Sequence, residues 1–220
     1  KGQSFVSEIG WGTFVGVPFI KNNGGTEIQA SLSFLPRDIN KDIWMFGDSY
    51  FGMYDPARWP YYMLQWGFKN YLLDARGGEY ASESLTDLIN LLSTGHRPKY
   101  IVWCIGMNRG SDSGEQVNQS WLTATEAMLA LCEDNGITPI LSTIPSVPSN
   151  IHVYLNKWVR NSGYRYIDFA LAVEDNDNYY WKGWGTSESL LSSDKVHPSE
   201  KGAIVLASRV LSDFPEIAIS

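Results

Sequence analysis

A chain of 220 residues, 44% hydrophobic and 19% charged, is a globular chain rather than a disordered one. It is long enough to bury about 70–75% of its surface without staples. A net charge of −7 argues against nucleic-acid binding, which needs a basic face, and two cysteines exclude a disulfide framework or an all-cysteine zinc site. No apolar run approaches the roughly 18 residues of a membrane span. The chain begins at Lys1 without Met and without a charged-then-apolar leader, so its first residues do not read as a signal peptide. Nine Trp, twelve Tyr and nine Phe make 14% of the residues aromatic, enough to thicken a core or to line a site that stacks on flat ligands.

In chain order, residues 13–20 and 26–35 alternate in the strand manner around Asn22-Asn23-Gly24-Gly25, which predicts a β-hairpin. Asp42 to Phe46 is a short apolar run closed by Gly47, and Tyr71 to Leu73 is another, followed by Gly77-Gly78. Residues 84–94 predict a helix whose Leu85, Leu88, Ile89 and Leu92 share a face, with Ser84 and Asp87 at capping-box spacing and Gly95 as its stop. Tyr100 to Ile105 predicts a buried strand. Val117, Trp121, Ala124, Met128 and Cys132 mark a helix that Asn135-Gly136 ends. Ile137–Ile144 and Tyr164–Phe169 predict strands on either side of a helix at 151–162. The last helix opens at Pro198 and should bury Ile204, Leu206 or Ala207, Val210, Leu211 and Phe214. Cys104 and Cys132 fall in apolar patterns and are expected to be buried free thiols.

Strands alternating with helices imply a mostly parallel sheet covered on both faces, with working residues at the carboxyl ends of the strands. Four features converge there: Gly47-Asp48-Ser49, Gly77-Gly78, Gly106-Met107-Asn108, and Asp194-Lys195-Val196-His197-Pro198 before the last helix. Each meets a need of acyl transfer. Ser49 is a poor nucleophile until a base takes its proton, and His197 has an acid, Asp194, three residues before it to fix its tautomer. The Ser49 N–H, a glycine N–H from 77 or 78 and the Asn108 amide could hold an oxyanion. Taken singly, each is a turn, a helix start or a loop; in order, each after its element, they make a set. His96 before a strand and His152 on a helix read as surface or structural residues, and three scattered histidines offer no metal site.

These blocks resemble the SGNH hydrolases, the GDSL-type esterase and lipase superfamily, across residues 42 to 214. Ser49 stands in Phe46-Gly47-Asp48-Ser49-Tyr50, with Tyr50 where the eponymous motif has leucine; Arg76-Gly77-Gly78-Glu79 is the glycine block, with Gly78 the better match and Gly77 possible. The resemblance implies a three-layer α/β/α sandwich on a five-stranded parallel sheet in flavodoxin-like order 2-1-3-4-5, here preceded by the hairpin. Residues 1–41 would be an extension or the remnant of an upstream β-domain, and 42–220 the hydrolase domain. It also implies ester hydrolysis through an acyl-enzyme with no metal or cofactor: catalytic Ser49, His197 and Asp194, and an oxyanion hole of Ser49, Gly78 and Asn108. Position 51 is Phe, so the Gly-x-Ser-x-Gly elbow of the α/β-hydrolases is absent.

Two aromatic clusters flank the blocks. Tyr50 and Tyr54, and Trp181 and Trp184, are candidate substrate contacts, while Trp44, Trp103 and Trp121 fall on predicted core faces. Loops carrying Arg109, Asp112, Glu115, Asp175 and Asp177 suit a polar ligand better than a long acyl chain, and their acids disfavour a polyanion. The expected activity is removal of a short acyl group, acetyl first, from a carbohydrate. Acyl transfer to another alcohol, general short-chain esterase or lipase activity, and a non-catalytic carbohydrate-binding module are the alternatives. A secreted or extracytoplasmic location is expected, with a small-molecule or polysaccharide ester as partner, no nucleic acid and no membrane insertion.

Overall fold

The computed structural model describes residues 12–14, 34–36, 38–51, 56–68, 70–175 and 180–218. The chain divides into two units, Lys1–Ile39 and Asn40–Ser220. In the first, β1 (Gly12–Phe14) pairs antiparallel with β2 (Phe34–Pro36), Thr13 opposite Leu35. Most of the predicted hairpin, its Asn-Asn-Gly-Gly turn included, lies outside the described residues.

In the second unit, β3 (Ile43–Gly47) is buried along its whole length, and Ile43, Trp44, Met45 and Phe46 expose no surface. An unbroken apolar strand is what a parallel sheet covered on both faces requires, and each such side chain contributes about 1.5–3 kcal/mol by leaving water. β4 (Leu72–Ala75) and β5 (Tyr100–Cys104) flank β3 in parallel, Trp44 lying between Leu72 and Ile101. β6 (Thr138–Ser142) and β7 (Arg165–Ile167) extend the sheet, giving the all-parallel order β4-β3-β5-β6-β7, which is the 2-1-3-4-5 expected. The chain steps from β3 to β4 on one side and returns to β5 on the other, so the switch point opens between β3 and β5.

Helices close both faces, making three layers. α2 (Ala81–Ser93) packs on α3 (Gln119–Asn135), and Trp121 of α3 meets Trp158 of α4 (Val153–Asn161) edge to face. On the other side α6 (Glu200–Asp213) packs against α1 (Trp59–Gln65) and α5 (Phe169–Val173). A 3-10 turn, Pro215–Ala218, follows α6. Among the described residues no helix is long and apolar enough to cross a membrane.

Several expectations are corrected. α2 starts a turn earlier than the Ser84 signal, and Ser84 and Asp87 do not cap it. The Glu83 carboxylate accepts from Tyr80 N–H at 2.8 Å, while Ser84 Oγ donates to Glu79 and Asp87 pairs with Arg76. Its buried face therefore runs through Ala81, Ser84, Leu88, Leu91 and Leu92, and Ile89 is exposed. On α6, capped by Ser199 one residue after Pro198, Ala203, Leu206, Ala207 and Val210 are buried and Ile204 is exposed. β7 stops at Ile167, because Asp168 caps α5 by accepting from Leu171 N–H. Both cysteines are buried and free, and burial pushes each thiol up to about 12. Trp44, Trp103 and Trp121 are core residues, as expected.

Candidate active site

The Ser49 turn begins where β3 runs out. Phe51 N–H donates to the Asp48 carbonyl at 3.1 Å, closing a tight turn that leaves Ser49 half-buried at its crest. The Asp48 side chain holds this turn to its neighbour: one carboxylate oxygen accepts from Tyr50 N–H and the other from Met107 N–H, both at 3.2 Å. Burial pushes Asp48 up to about 6, against the pull of the Tyr50, Met107 and Gly106 N–H groups and of His197. The sequence motif contains Asp48 without revealing this role, since its second partner lies on the loop after β5.

The histidine segment is built differently. It has no regular secondary structure. Leu191 bridges to Pro198, and Ser192 N–H donates to the His197 carbonyl at 2.8 Å. One Asp194 oxygen accepts from Ser192 Oγ at 2.6 Å and from Val196 N–H and His197 N–H at 2.9 Å each, wrapping a turn in which Lys195 takes a left-handed φ of 63°. The other oxygen lies 2.7 Å from His197 Nδ1. What burial Asp194 has favours its neutral form, but the Ser192, His197 and Val196 donors outweigh it and hold the carboxyl well below the usual range. An ionised Asp194 accepts from Nδ1–H, so the network assigns Nε2 as the free lone pair. Nε2 lies 2.9 Å from Ser49 Oγ. The structure thus aligns Asp194, His197 and Ser49 from segments 148 residues apart.

The candidate oxyanion donors lie on the loops after the strands beside β3. After β4, Arg76 pairs with Glu79 and Asp87, and Glu79 N–H closes a turn onto the Arg76 carbonyl at 3.3 Å. Within that turn Gly78 has φ +81°, which a side chain would strain, whereas Gly77 has ordinary backbone; this favours Gly78 for the block's special position. After β5, the loop 106–110 folds so tightly that a Cβ on Gly110 would strike the Gly106 carbonyl. Trp121 Nε1 donates to the Ile105 carbonyl at 2.7 Å and Asn150 Nδ2 to that of Met107 at 3.0 Å, so the start of the loop is pinned. Asn108 Nδ2 is buried without a hydrogen-bond partner. A buried donor left unpaired costs about 1–3 kcal/mol, so it marks a position where a ligand atom is expected.

The aromatic candidates separate. Tyr50 and Trp181 are 6% and 1% exposed and offer no stacking face. Tyr50 packs edge-on against Trp181, whose Nε1 donates to the Ser146 carbonyl at 2.9 Å, and its own hydroxyl donates to the Val196 carbonyl at 2.5 Å. Their predicted place as ligand contacts is corrected: both rings are buried, Tyr50 against the imidazole of His197 at 6.0 Å and Trp181 behind Tyr50. Tyr54 lies outside the described residues. Trp184, half-buried, stacks on exposed Tyr180 with centroids 5.6 Å apart and planes 15° apart. Arg109 lies over the Tyr80 ring at 4.3 Å. Asp112, counted in the sequence as a loop acid suited to a ligand, instead accepts from Tyr154 N–H and Leu155 N–H at the start of α4. His152 is buried, and burial lowers it to about 4; His96 stacks on Trp44.

No protein-family model matches the chain and no curated protein matches it. Solved structures do. A member of the lipolytic protein G-D-S-L family from Veillonella parvula is 19% identical with a TM-score of 0.58, over 79% of this chain and 97% of that one. The psychrotrophic esterase EstA from Pseudoalteromonas sp., inhibited by monoethylphosphonate, is 16% identical with a TM-score of 0.56, over 82% and 100%. The C-terminal catalytic domain of the peptidoglycan O-acetyltransferase A of Streptococcus pneumoniae, as a methylsulfonyl adduct, is 16% identical with a TM-score of 0.51, over 81% and 95%. At these identities the likeness is one of fold.

Proposed function

We propose that this chain is a serine esterase that removes short acyl groups, acetyl first among them, from a carbohydrate through an acyl-enzyme at Ser49. The observation that carries the reading is the line Asp194 Oδ2–His197 Nδ1–His197 Nε2–Ser49 Oγ, with contacts of 2.7 and 2.9 Å. Ser49 Oγ attacks the ester carbonyl while Nε2 takes its proton. The Ser49 and Gly78 N–H groups and Asn108 Nδ2 receive the oxyanion. The imidazolium, steadied by Asp194, returns the proton to the leaving alcohol. Water then attacks the acyl carbon, gives its proton to Nε2, and the acid departs as Ser49 Oγ regains a proton.

A saccharide alcohol is supported by the stack of exposed Tyr180 on half-buried Trp184 in irregular chain and by the polar Arg109 loop beside Asn108. The O-acetyltransferase among the structural neighbours favours a second reading, transfer of the acyl group to an acceptor alcohol rather than to water. Wild type and Ser49→Ala should be assayed on p-nitrophenyl acetate and on a panel of acetylated polysaccharides, with fluorophosphonate labelling alongside. Ser49→Ala should fold normally, lose labelling and lose about 10⁶-fold in kcat, the cost of removing a serine nucleophile. An alanine variant at the wild-type rate sinks the assignment. Acyl products on an added sugar acceptor select transfer, and glycan binding without labelling selects a binding module.

A further inference from the structure

Tyr50 stands where the eponymous motif has leucine, and its hydroxyl reaches a residue 146 positions away. Among the described residues, two hydrogen bonds join the nucleophile turn, Asp48 to Phe51, to the histidine segment, Leu191 to Pro198. One is Ser49 Oγ with His197 Nε2; the other is Tyr50 Oη donating to the Val196 carbonyl. The two differ in lifetime through the reaction that the proposed function assigns. Once Ser49 Oγ is esterified it has no proton to share with Nε2, so the first bond is gone throughout the acyl-enzyme. Among the described residues, only the Tyr50 hydrogen bond then ties the two segments together.

The rest of the histidine segment gives it reason to drift. It lacks regular secondary structure, Lys195 holds a left-handed φ of 63°, and the Asp194 side chain is 50% exposed. Its internal bonds, all to Asp194 or Ser192, set the shape of the turn but not its distance from Ser49. Tyr50 sets that distance from three sides. Its hydroxyl holds the carbonyl of the residue before His197, its ring lies 6.0 Å from the imidazole, and its far edge rests on buried Trp181. Trp181 is anchored in turn through Nε1 to Ser146.

We propose that Tyr50 is a positioning residue for deacylation. It keeps His197 Nε2 over the acyl carbon after the Ser49–His197 bond is lost, so that the imidazole can take the proton of the attacking water. In that step a water O–H bond breaks and the water oxygen bonds to the acyl carbon. The Oγ–acyl bond then breaks, and the proton on Nε2 passes to Oγ. Tyr50 touches none of these atoms and acts through the Val196 carbonyl and the imidazole. In acylation the Ser49–His197 bond is intact and shares the task, so the two half-reactions depend on Tyr50 unequally.

Tyr50→Phe removes only the hydroxyl and Tyr50→Leu removes the ring as well. Both are compared with wild type on p-nitrophenyl acetate by stopped flow, with thermal unfolding as the check on folding. Loss of one buried neutral hydrogen bond should lower Tyr50→Phe kcat about 10-fold. Its kcat/KM, which reports acylation, should stay within about 2-fold, with KM falling alongside kcat. A burst of p-nitrophenol approaching one per labelled site should appear, because the acyl-enzyme accumulates. Tyr50→Leu should deepen the same pattern. If kcat and kcat/KM fall together without a larger burst, or if Tyr50→Phe turns over like wild type, the proposal is overturned while the esterase reading stands. If wild type neither turns over nor labels with fluorophosphonate, both fall. A lowered unfolding midpoint with the burst unchanged shows a structural role only and also overturns it.

Discussion

The two halves of the Asp194–His197–Ser49 line are held by opposite means. Ser49 sits on a turn extending from β3, a strand buried along its whole length, and Asp48 beneath it is 3% exposed and bonded to the loop after β5. His197 and Asp194 sit on irregular chain, the Asp194 side chain 50% exposed, in a turn wound around a single carboxylate oxygen. The nucleophile and the Asn108 loop are thus preorganised by the core of the sheet. The base is preorganised by its own local turn and by Tyr50. Damage on the core side should therefore appear in stability or in oxyanion binding, and damage on the outer side in the proton-transfer steps.

Short of removing Ser49 itself, the largest effect should come from the outer side. Asp194→Asn keeps an oxygen to accept from Val196 and His197 N–H but turns an NH₂ toward Nδ1, favouring the tautomer that blocks Nε2. A loss of about 10⁴ in kcat with an unchanged unfolding midpoint is expected. If the fold loosened as much as activity fell, the turn would matter more than the tautomer and the contrast between the halves would weaken. On the core side, Asn108→Ala deletes a donor that has no partner in the free protein. It should lower kcat by about 10²–10³ without destabilising the fold. Unfolding measured beside the steady-state rates tests this, and a clear drop in stability would show the amide serving the loop rather than the reaction.

The smallest effect is thermodynamic. Asp48 titrates near 6 in the folded chain against 3.8 for an ordinary carboxyl, because burial opposes its charge. A raised folded-state value means that the stability Asp48 contributes is complete below about pH 4 and is lost as the pH rises through 6. Asp48→Asn cannot titrate. Between pH 4 and 7 the stability of wild type relative to this variant should fall by about 3 kcal/mol, the free energy of a two-unit shift. Denaturant unfolding of both proteins at pH 4, 5.5 and 7 measures the gap, and parallel curves would show that burial does not oppose the charge of Asp48. The fully buried His152, whose lowered value acts with the opposite sign, is present in both proteins and cancels.

The parts of the site legible in the sequence are those whose chemistry forces neighbours together. An acid three residues before a histidine, a serine closing a strand and an asparagine after the next strand but one are short-range patterns. Once the strand–helix alternation is recognised, the parallel sheet carries them to one edge. Tyr50 and Trp181 were not legible in the same way. An aromatic beside a catalytic block suits a ligand or a wall equally well, and their partners, Val196 and Ser146, lie 146 and 35 residues away. The face of α2 was misjudged for a related reason. Ser84 and Asp87 carry a start signal in isolation, yet in the fold their polar groups are taken up by Glu79 and Arg76, and the helix turns its face accordingly.

The sequence by itself determined the order of elements, the parallel sheet and the residues of the candidate site, because hydrophobic period and motif spacing are properties of neighbouring residues. The tertiary structure alone decided what stands behind those groups: Asp48 joining the serine turn to the Asn108 loop, Asn108 Nδ2 left unpaired, and Tyr50 tying the serine turn to the histidine turn. Each depends on a hydrogen bond made, or left open, between segments that meet only when the sheet is assembled, and no local pattern encodes the partner.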